Sequence, residues 1–190
     1  MTPHGYTIQP GFRTTRLMMR PLEMDDAKDL FEYASDPQVA RTVTWEAHRT
    51  VEDSRAFLRH VTRGYGTGPV LHWGIHRQAD DKLIGTIGLA GVHDEHQRAE
   101  IGYALARPCW NQGLMTEALR ATIDSLFRGT PLNRIEGRCL PDNAASSRVM
   151  RKSGMSFEGI LRQCTFVKGQ FRDLECHSIL RRDWETATGR

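Results

Sequence analysis

The stretch Ala104–Thr122, ALARPCWNQGLMTEALRAT, decides the fold, because a strand ends there and a helix begins within a few residues. Pro108 cannot continue a strand ladder, and Gly113 lets the backbone approach another group closely. From Leu114 the apolar residues recur at helical spacing, and Glu117 falls in the first turn. A loop that opens a helix presents free N–H groups to an anion. The segment therefore predicts a site for a phosphorylated molecule.

The same loop is also compatible with an ordinary tight connection between a strand and a helix. Two common phosphate-binding patterns are absent from it. No Gly-Lys-Ser/Thr follows, so it is not a Walker loop, and the three-glycine spacing of dinucleotide-binding loops is missing. The class of ligand therefore has to come from other segments.

Composition indicates a single globular domain that spans residues 1–190. The net charge of +3 is too small to indicate a nucleic-acid partner. The N-terminus lacks the apolar core of a signal peptide, and no stretch approaches the roughly 20 apolar residues of a membrane span. The four cysteines contain no C-x-x-C pair, so we expect no metal site and a cytoplasmic protein with reduced thiols. They are Cys109, Cys139, Cys164 and Cys176.

The order of elements predicts a mixed-sheet α/β (α+β) domain with about seven strands and about four helices. The predicted helices begin near Asp26, Thr50, Leu114 and Ala144. The predicted strands are Arg16–Leu22, Val70–His76, Leu83–Val92, Ala99–Ala106, Arg134–Leu140, Ile160–Val167 and Asp173–Leu180.

A second informative segment is Leu140–Gly159, LPDNAASSRVMRKSGMSFEG. Asn143 is placed to cap a short helix, with Ser146 in its first turn. The basic residues that follow are compatible with a solvated face near the helix C-terminus. Nucleic-acid binding through them is a weaker alternative, because no recognised binding motif accompanies them.

In combination, these segments resemble the GNAT superfamily of acetyl-CoA-dependent N-acetyltransferases. The resemblance covers nearly the whole chain, through RLMMRPL, GTIGL, AEIGYAL, WNQGLMTEAL, PDNAASSRVMRKSGMSFEG and FRDLECHSIL. It is greatest to the branch that acetylates the N-termini (alanine or serine) of ribosomal proteins. Trp110 and Met115 depart from the general superfamily loop and are familiar in this branch, in which homodimers are common.

The resemblance implies a twisted sheet whose fourth and fifth strands, Ala99–Ala106 and Arg134–Leu140, run parallel and splay apart. Leu105 and Ala106 would pair with the pantetheine arm of the coenzyme, and Asn143 would hydrogen-bond that arm. Ser146 would protonate the leaving thiolate. The loop and first helical turn would hold the pyrophosphate through Asn111, Gln112, Gly113, Leu114, Met115 and Thr116.

Acyl transfer also requires a neutral amine, so a base or a water chain must remove a proton from the ammonium. Glu100, at the start of AEIGYAL, is the candidate base, with a role as an ordinary surface carboxylate as the alternative. The branch can carry a glutamate where this chain has Thr165, which cannot act as a base. Weaker candidates are the histidines, which more often have structural roles. They are His72, His93, His96 and His177.

The sequence thus predicts transfer of an acetyl group from acetyl-CoA to an amine by direct attack in a ternary complex. A protein or peptide N-terminus is the expected acceptor, again by resemblance. A small-molecule amine (polyamine, amino acid or aminoglycoside) is the alternative acceptor, and a non-catalytic acyl-CoA sensor is the alternative function. Trp45 and His48 are candidates for lining the acceptor pocket, or for ordinary packing.

Overall fold

A computed structural model describes residues 10–65 and 71–189 of the chain. Within this part, eight strands form one mixed sheet in the order β1-β2-β3-β4-β5-β6-β8-β7. The strands are β1 Phe12–Arg13, β2 Leu17–Arg20, β3 His72–Arg77, β4 Lys82–His93, β5 Arg98–Leu105, β6 Arg134–Cys139, β7 Ser156–Val167 and β8 Gln170–Leu180. The α-helices are α1 Ala27–Ala34, α2 Pro37–Ala40, α3 Val51–Tyr65, α4 Leu114–Gly129, α5 Ala144–Lys152 and α6 Arg181–Thr188.

The feature that organises the sheet is a split between β5 and β6. These two strands are parallel, and all other strand pairs in the described residues are antiparallel. Their register runs from Arg98 opposite Arg134 to Ile101 opposite Gly137 and then stops. Both strands continue beyond these positions without pairing, so a crevice opens between their C-terminal ends.

Alternation of side chains along the strands gives the sheet two differently covered faces. On one face, which we call the α4/α5 face, apolar strand residues such as Ile101 and Ile135 pack with Leu119 of α4. On the other, the α1/α3 face, Leu83 packs with Leu30 of α1 and Leu58 of α3. A fully buried side chain of this size stabilises the fold by about 1.5–3 kcal/mol.

The predicted fold class is confirmed, with corrections to the counts of elements. The described residues form eight strands rather than seven, because the two-residue β1 is too short to show a pattern. The same part of the chain contains six α-helices rather than four. One of the additional helices is α2, which Asp36 caps and in whose first turn Pro37 lies, a position compatible with proline. The C-terminal α6 was also missed.

Several boundaries also differ from the expected ones. β7 begins at Ser156 and β8 at Gln170, both earlier than predicted, around a turn whose Lys168 and Gly169 have positive φ angles. The predicted strand Val70–His76 is observed from His72, and Val70 itself lies outside the described residues. No helix in the described ranges is long and apolar enough to cross a membrane.

Candidate functional site

The loop before α4 has the backbone conformation that an anion site needs. Asn111 and Gly113 both have positive φ angles, 59° and 75° respectively, which turns the chain sharply into the helix. The first bond of the helix runs from the Glu117 N–H to the Gly113 carbonyl, at 3.0 Å. The N–H groups of the preceding first-turn residues therefore have no acceptor within the helix. These residues are Leu114, Met115 and Thr116. The side chains of Leu114 and Met115 are buried in the core.

A basic groove lies beside this helix start, and the sequence did not predict its composition. Arg16, from the turn before β2, donates to the Gln112 carbonyl at 3.0 Å and to the Glu117 carboxylate at 2.7 Å. Arg120 donates to the Lys152 carbonyl at the end of α5. The groove is lined by Thr15, Arg16, Gly113, Thr116, Glu117, Arg120, Ala121 and Lys152.

Glu117 of α4 links the helix to the turn before β2 at this groove. Its carboxylate accepts hydrogen bonds from the Thr14 hydroxyl at 2.5 Å and from the backbone N–H of Arg16 at 3.0 Å. Burial opposes its ionisation, but these hydrogen bonds and the Arg16 guanidinium outweigh burial and lower the pKa of Glu117. A fixed anion thus orients Arg16 over the loop.

Every second residue of β5 directs its backbone N–H and carbonyl groups into the crevice between β5 and β6. Ala106 is already bonded, since its N–H donates to Ile84 at 2.8 Å and its carbonyl accepts from Cys109 at 2.9 Å. Successive strand residues direct their backbone groups to opposite sides. Tyr103 and Leu105 therefore face the crevice, while Ala106 faces β4. The Leu105 carbonyl accepts the indole N–H of Trp110 at 2.7 Å and retains a second lone pair for another donor.

The crevice wall on the α4/α5 face carries a pair of hydroxyl groups. The oxygens of Tyr103 and Ser146 lie 2.9 Å apart. Asn143 caps α5 by accepting the Ser146 N–H at 3.1 Å, which fixes the serine at the helix start. Burial raises the pKa of Tyr103, so its hydroxyl stays protonated. The partner of Tyr103 lies on an element distant in the chain, so local sequence patterns do not reveal this contact.

Three side chains of types that can bind metals lie close together on the α4/α5 face, the same face as Ser146. One ligand atom each of Cys139, Glu175 and His177 lies within 4.8 Å of the other two. His177 Nε2 is 3.2 Å from Glu175 Oε2 and 3.3 Å from the Ser147 hydroxyl, which itself accepts from Arg151 at 2.9 Å. Burial raises the pKa of Cys139 to about 11. A neutral thiol and a neighbouring guanidinium favour a hydrogen-bonded cluster over a cation site.

Glu100 lies on the opposite, α1/α3 face. Its carboxylate is 3.4 Å from the Arg138 guanidinium. Arg138 also contacts Glu136, at 3.2 Å, and Glu136 is buried among further arginines. The predicted base and Ser146 are therefore on opposite faces of the sheet at the level of the split.

The remaining candidate residues are dispersed. His93 and His96 are exposed at the far end of β4, away from the split. His48 contacts Ser54 at 2.8 Å and packs against Trp45, with ring centroids 5.6 Å apart. Those two residues thus stabilise the segment between α2 and α3. His72 lies on the α1/α3 face, and Thr165 is in β7 opposite Arg172.

A sheet split between two parallel strands, with an anion site at the next helix start, defines a binding site for an extended phosphorylated ligand. Residues 16–156 match the acetyltransferase (GNAT) domain family. An uncharacterised N-acetyltransferase of Bacillus licheniformis is 33% identical over 171 residues, 90% of this chain and 96% of that protein. The ribosomal-protein-serine acetyltransferase of Escherichia coli is 31% identical over 99 residues, 52% of this chain and 55% of that protein.

Solved structures agree with this match. A GNAT-family acetyltransferase from Bacillus anthracis superposes with a TM-score of 0.81 at 29% identity, covering 90% of this chain and 99% of the other. The microcin C7 self-immunity acetyltransferase, solved with acetyl-CoA and AMP, shares the fold at 19% identity, with a TM-score of 0.80 over 88% of this chain and 93% of that one.

The chain belongs to the GNAT acetyltransferase family. The resemblance predicted from the sequence is confirmed: the protein is an acyltransferase, and acetyl-CoA is its cosubstrate. The residues fit that cosubstrate, since the free N–H groups at the start of α4 suit a pyrophosphate and the crevice suits an extended arm.

Proposed function

We propose that this enzyme acetylates the N-terminal amine of a protein or peptide, of the ribosomal-protein type. The observation that carries the proposal is the position of the split. Ser146 lies on one side of the opening between β5 and β6. On the other side, the opening is accessible over Gly102, which is exposed. Relatives that include ribosomal-protein-serine and ribosomal-protein-alanine acetyltransferases of Escherichia coli support the choice of acceptor.

The N–H groups from Gly113 to Thr116 are proposed to hold the pyrophosphate, with Arg16 and Lys152 adding positive charge beside it. Asn111 and Gln112 shape the loop that presents these groups. Tyr103 and Leu105 are proposed to pair with the pantetheine arm. Ala106 is left out of this role, because both of its backbone groups are bonded within the protein.

The proposed chemistry is direct attack of the amine nitrogen on the thioester carbonyl carbon. The carbon–sulfur bond then breaks, and the sulfur takes a proton from the Ser146 hydroxyl, which Tyr103 can replenish across 2.9 Å. The proton lost by the ammonium leaves on the other face, where Glu100 lies. Acid and base groups on opposite sides of the sheet cannot neutralise each other.

The acceptor is proposed to enter along the α1/α3 face, next to the tip of the β7–β8 hairpin. Lys168 at this tip donates to the Ala40 carbonyl of α2 at 2.5 Å, so the hairpin tip and α2 form one wall. Glu100 supplies a negative charge within the opening, which suits an ammonium group.

The test is acetyl-CoA consumption by the purified protein with N-terminal peptides beginning in alanine or serine, with polyamines and with aminoglycosides. We expect turnover with the peptides, and loss of most of it when the N-terminus is blocked. Turnover with polyamines or aminoglycosides alone would contradict the proposed acceptor. Tight acetyl-CoA binding without turnover of any amine would favour a sensor instead.

We also propose that the protein acts as a homodimer in the cytoplasm. β7 is the outer strand of the sheet and exposes large apolar side chains, among them Phe166, which is 64% exposed. Four free cysteines suit a reducing compartment. Light scattering of the wild type and of Phe166→Glu tests self-association, and a wild-type protein that is monomeric at micromolar concentration would contradict it.

A further inference from the structure

A row of three residues crosses the α1/α3 face at the level of the split. His72 of β3 pairs with Gly88 of β4, and Gly88 pairs with Gly102 of β5. Residues directly opposite each other in antiparallel strands share a face, so all three belong to the α1/α3 face. Adjacent strands are about 4.8 Å apart, which places His72 two strands from Gly102. The row begins with an imidazole and ends at the split.

The two glycines create the space along this row. A Cβ atom on Gly88 would lie 2.5 Å from the His72 ring, so the imidazole occupies the space that a side chain at residue 88 would fill. The ring thus reaches over β4 towards β5. A Cβ atom on Gly102, by contrast, would meet nothing within 4 Å among the described residues. The sheet surface at Gly102 is therefore uncovered by the described residues, and the His72 imidazole lies beside it.

Gly102 is the first β5 residue beyond the paired part of β5 and β6. On the opposite face, the next residue, Tyr103, contacts Ser146. A nucleophile over Gly102 therefore approaches the split from the side opposite the proton donor. Glu100 lies two residues away on the same face as Gly102, held by Arg138 at 3.4 Å.

The charge environment of His72 favours the neutral imidazole. Burial lowers its pKa, and His60 of α3 lowers it further when protonated. From the same helix, the Tyr65 hydroxyl donates to the His72 carbonyl at 2.7 Å and contacts the backbone rather than the ring. β4 contributes only Gly88 opposite His72. A neutral imidazole can accept a proton. Glu100 contacts Arg138 through Oε2, so Oε1 can still attract an ammonium group.

Building on the proposed function, we propose that His72 is the proton acceptor for an amine bound over Gly102, and that Glu100 attracts the incoming ammonium. The proton moves from the ammonium to a ring nitrogen of His72. The amine lone pair forms the new carbon–nitrogen bond, the carbon–sulfur bond pair leaves with sulfur, and the Ser146 hydroxyl protonates the thiolate. The second proton on the nitrogen is released to solvent as the amide forms, and Ser146 regains a proton from solvent through Tyr103, 2.9 Å away. His72 then releases its proton to solvent.

The test compares His72→Asn with His96→Asn, a matched substitution of an exposed histidine away from the split. Steady-state kinetics are measured with saturating acetyl-CoA and the best peptide acceptor, from pH 5.5 to 9. We expect His72→Asn to lower kcat by about 10²-fold, to shift the acidic limb of the pH profile upwards towards the pKa of the acceptor amine and to leave the acetyl-CoA KM unchanged. His96→Asn should behave as the wild type.

Two further variants separate the roles and keep the test decisive if His72→Asn folds poorly. Glu100→Gln should raise the acceptor KM more than it lowers kcat. Gly102→Ala should raise the acceptor KM at an unchanged Kd for coenzyme A. An unchanged rate and pH profile in His72→Asn would overturn the inference, and so would a kcat loss confined to Glu100→Gln or an unaltered acceptor KM in Gly102→Ala. Wild-type protein inactive with every amine would instead overturn the proposed function.

Discussion

The hydroxyl oxygens of Tyr103 and Ser146 lie 2.9 Å apart, and they join β5 to the start of α5 across the crevice where β5 and β6 separate. Ser146 is fixed from the other side by the Asn143 cap. A serine hydroxyl that donates its proton needs a group to restore it, and the protonated Tyr103 is in contact. The pair therefore acts as a unit in the proposed mechanism.

Removal of the phenol hydroxyl tests this coupling. We expect Tyr103→Phe to lower kcat by about 10-fold and Ser146→Ala by about 10²-fold, because each removes part of one proton path. The double variant should be little worse than Ser146→Ala, since residues that act as a unit are not additive. Steady-state kinetics measure all three. Tyr33→Phe, which removes another buried hydroxyl, is the control, and full additivity would contradict a shared path.

Gly113 is predicted to matter for its backbone rather than its size. An alanine there would have a Cβ atom 3.7 Å from Arg16, an ordinary contact, but a φ of +75° costs a non-glycine residue about 1–2 kcal/mol. Gly113→Ala should therefore lower stability by about that amount and also raise the acetyl-CoA KM. Gly169→Ala, at φ +79° in the β7–β8 turn, is the matched control. Thermal unfolding and kinetics should show similar stability losses, with the KM effect at Gly113 alone.

Lys152 is predicted to bind the phosphates by charge alone. Its side chain is exposed and lines the groove beside Gly113. Because one exposed charge pair contributes about 0.2–1 kcal/mol, Lys152→Gln should weaken coenzyme A binding by about 1.4- to five-fold. Calorimetry at two salt concentrations measures this, and the effect should shrink at high salt. Lys28→Gln, on the exposed side of α1, should leave the Kd unchanged.

Glu158 should make the free energy of unfolding depend on pH in the acidic range. Hydrogen bonds from the Arg134 guanidinium, followed by one from Ser178, lower the pKa of Glu158 from 4.5 to about 2 in the folded protein. As the pH falls, Glu158 is therefore protonated in the unfolded state before it is protonated in the folded state. The stabilisation from its ion pair is complete above pH ~4.5 and is lost as the pH falls towards 2. Because the side chain is 41% exposed and screened by solvent, we expect about 0.2–1 kcal/mol.

The measurement is denaturant unfolding of wild type and Glu158→Gln at pH 7, 4.5 and 3. The gap between the two proteins should be present at pH 7 and narrow as the pH falls below 4.5. Glu95→Gln, at an exposed glutamate in the turn between β4 and β5, is the matched control for the loss of one carboxylate. A gap that stays constant to pH 3 would exclude the ion pair as its source.

Much of the fold and the loop conformation before α4 could be predicted from the sequence. Gly113 followed by an apolar face at helical spacing indicates a loop that opens a helix, because these features are local in the chain. Asn143 indicates an N-cap for the same reason. The short elements β1 and α2 were missed, since two to four residues give no measurable periodicity.

What the sequence by itself determined is most of the order of elements, the loop at Gly113 that opens a helix and, through the combination of motifs, the family and the cosubstrate. Only the tertiary structure brought Arg16 to the loop, Tyr103 to Ser146 and the His72 ring over Gly88. Those contacts depend on strand order and register, which are set by packing across the whole sheet. A shift of one residue between β3 and β4 would move His72 to the other face and remove it from the split.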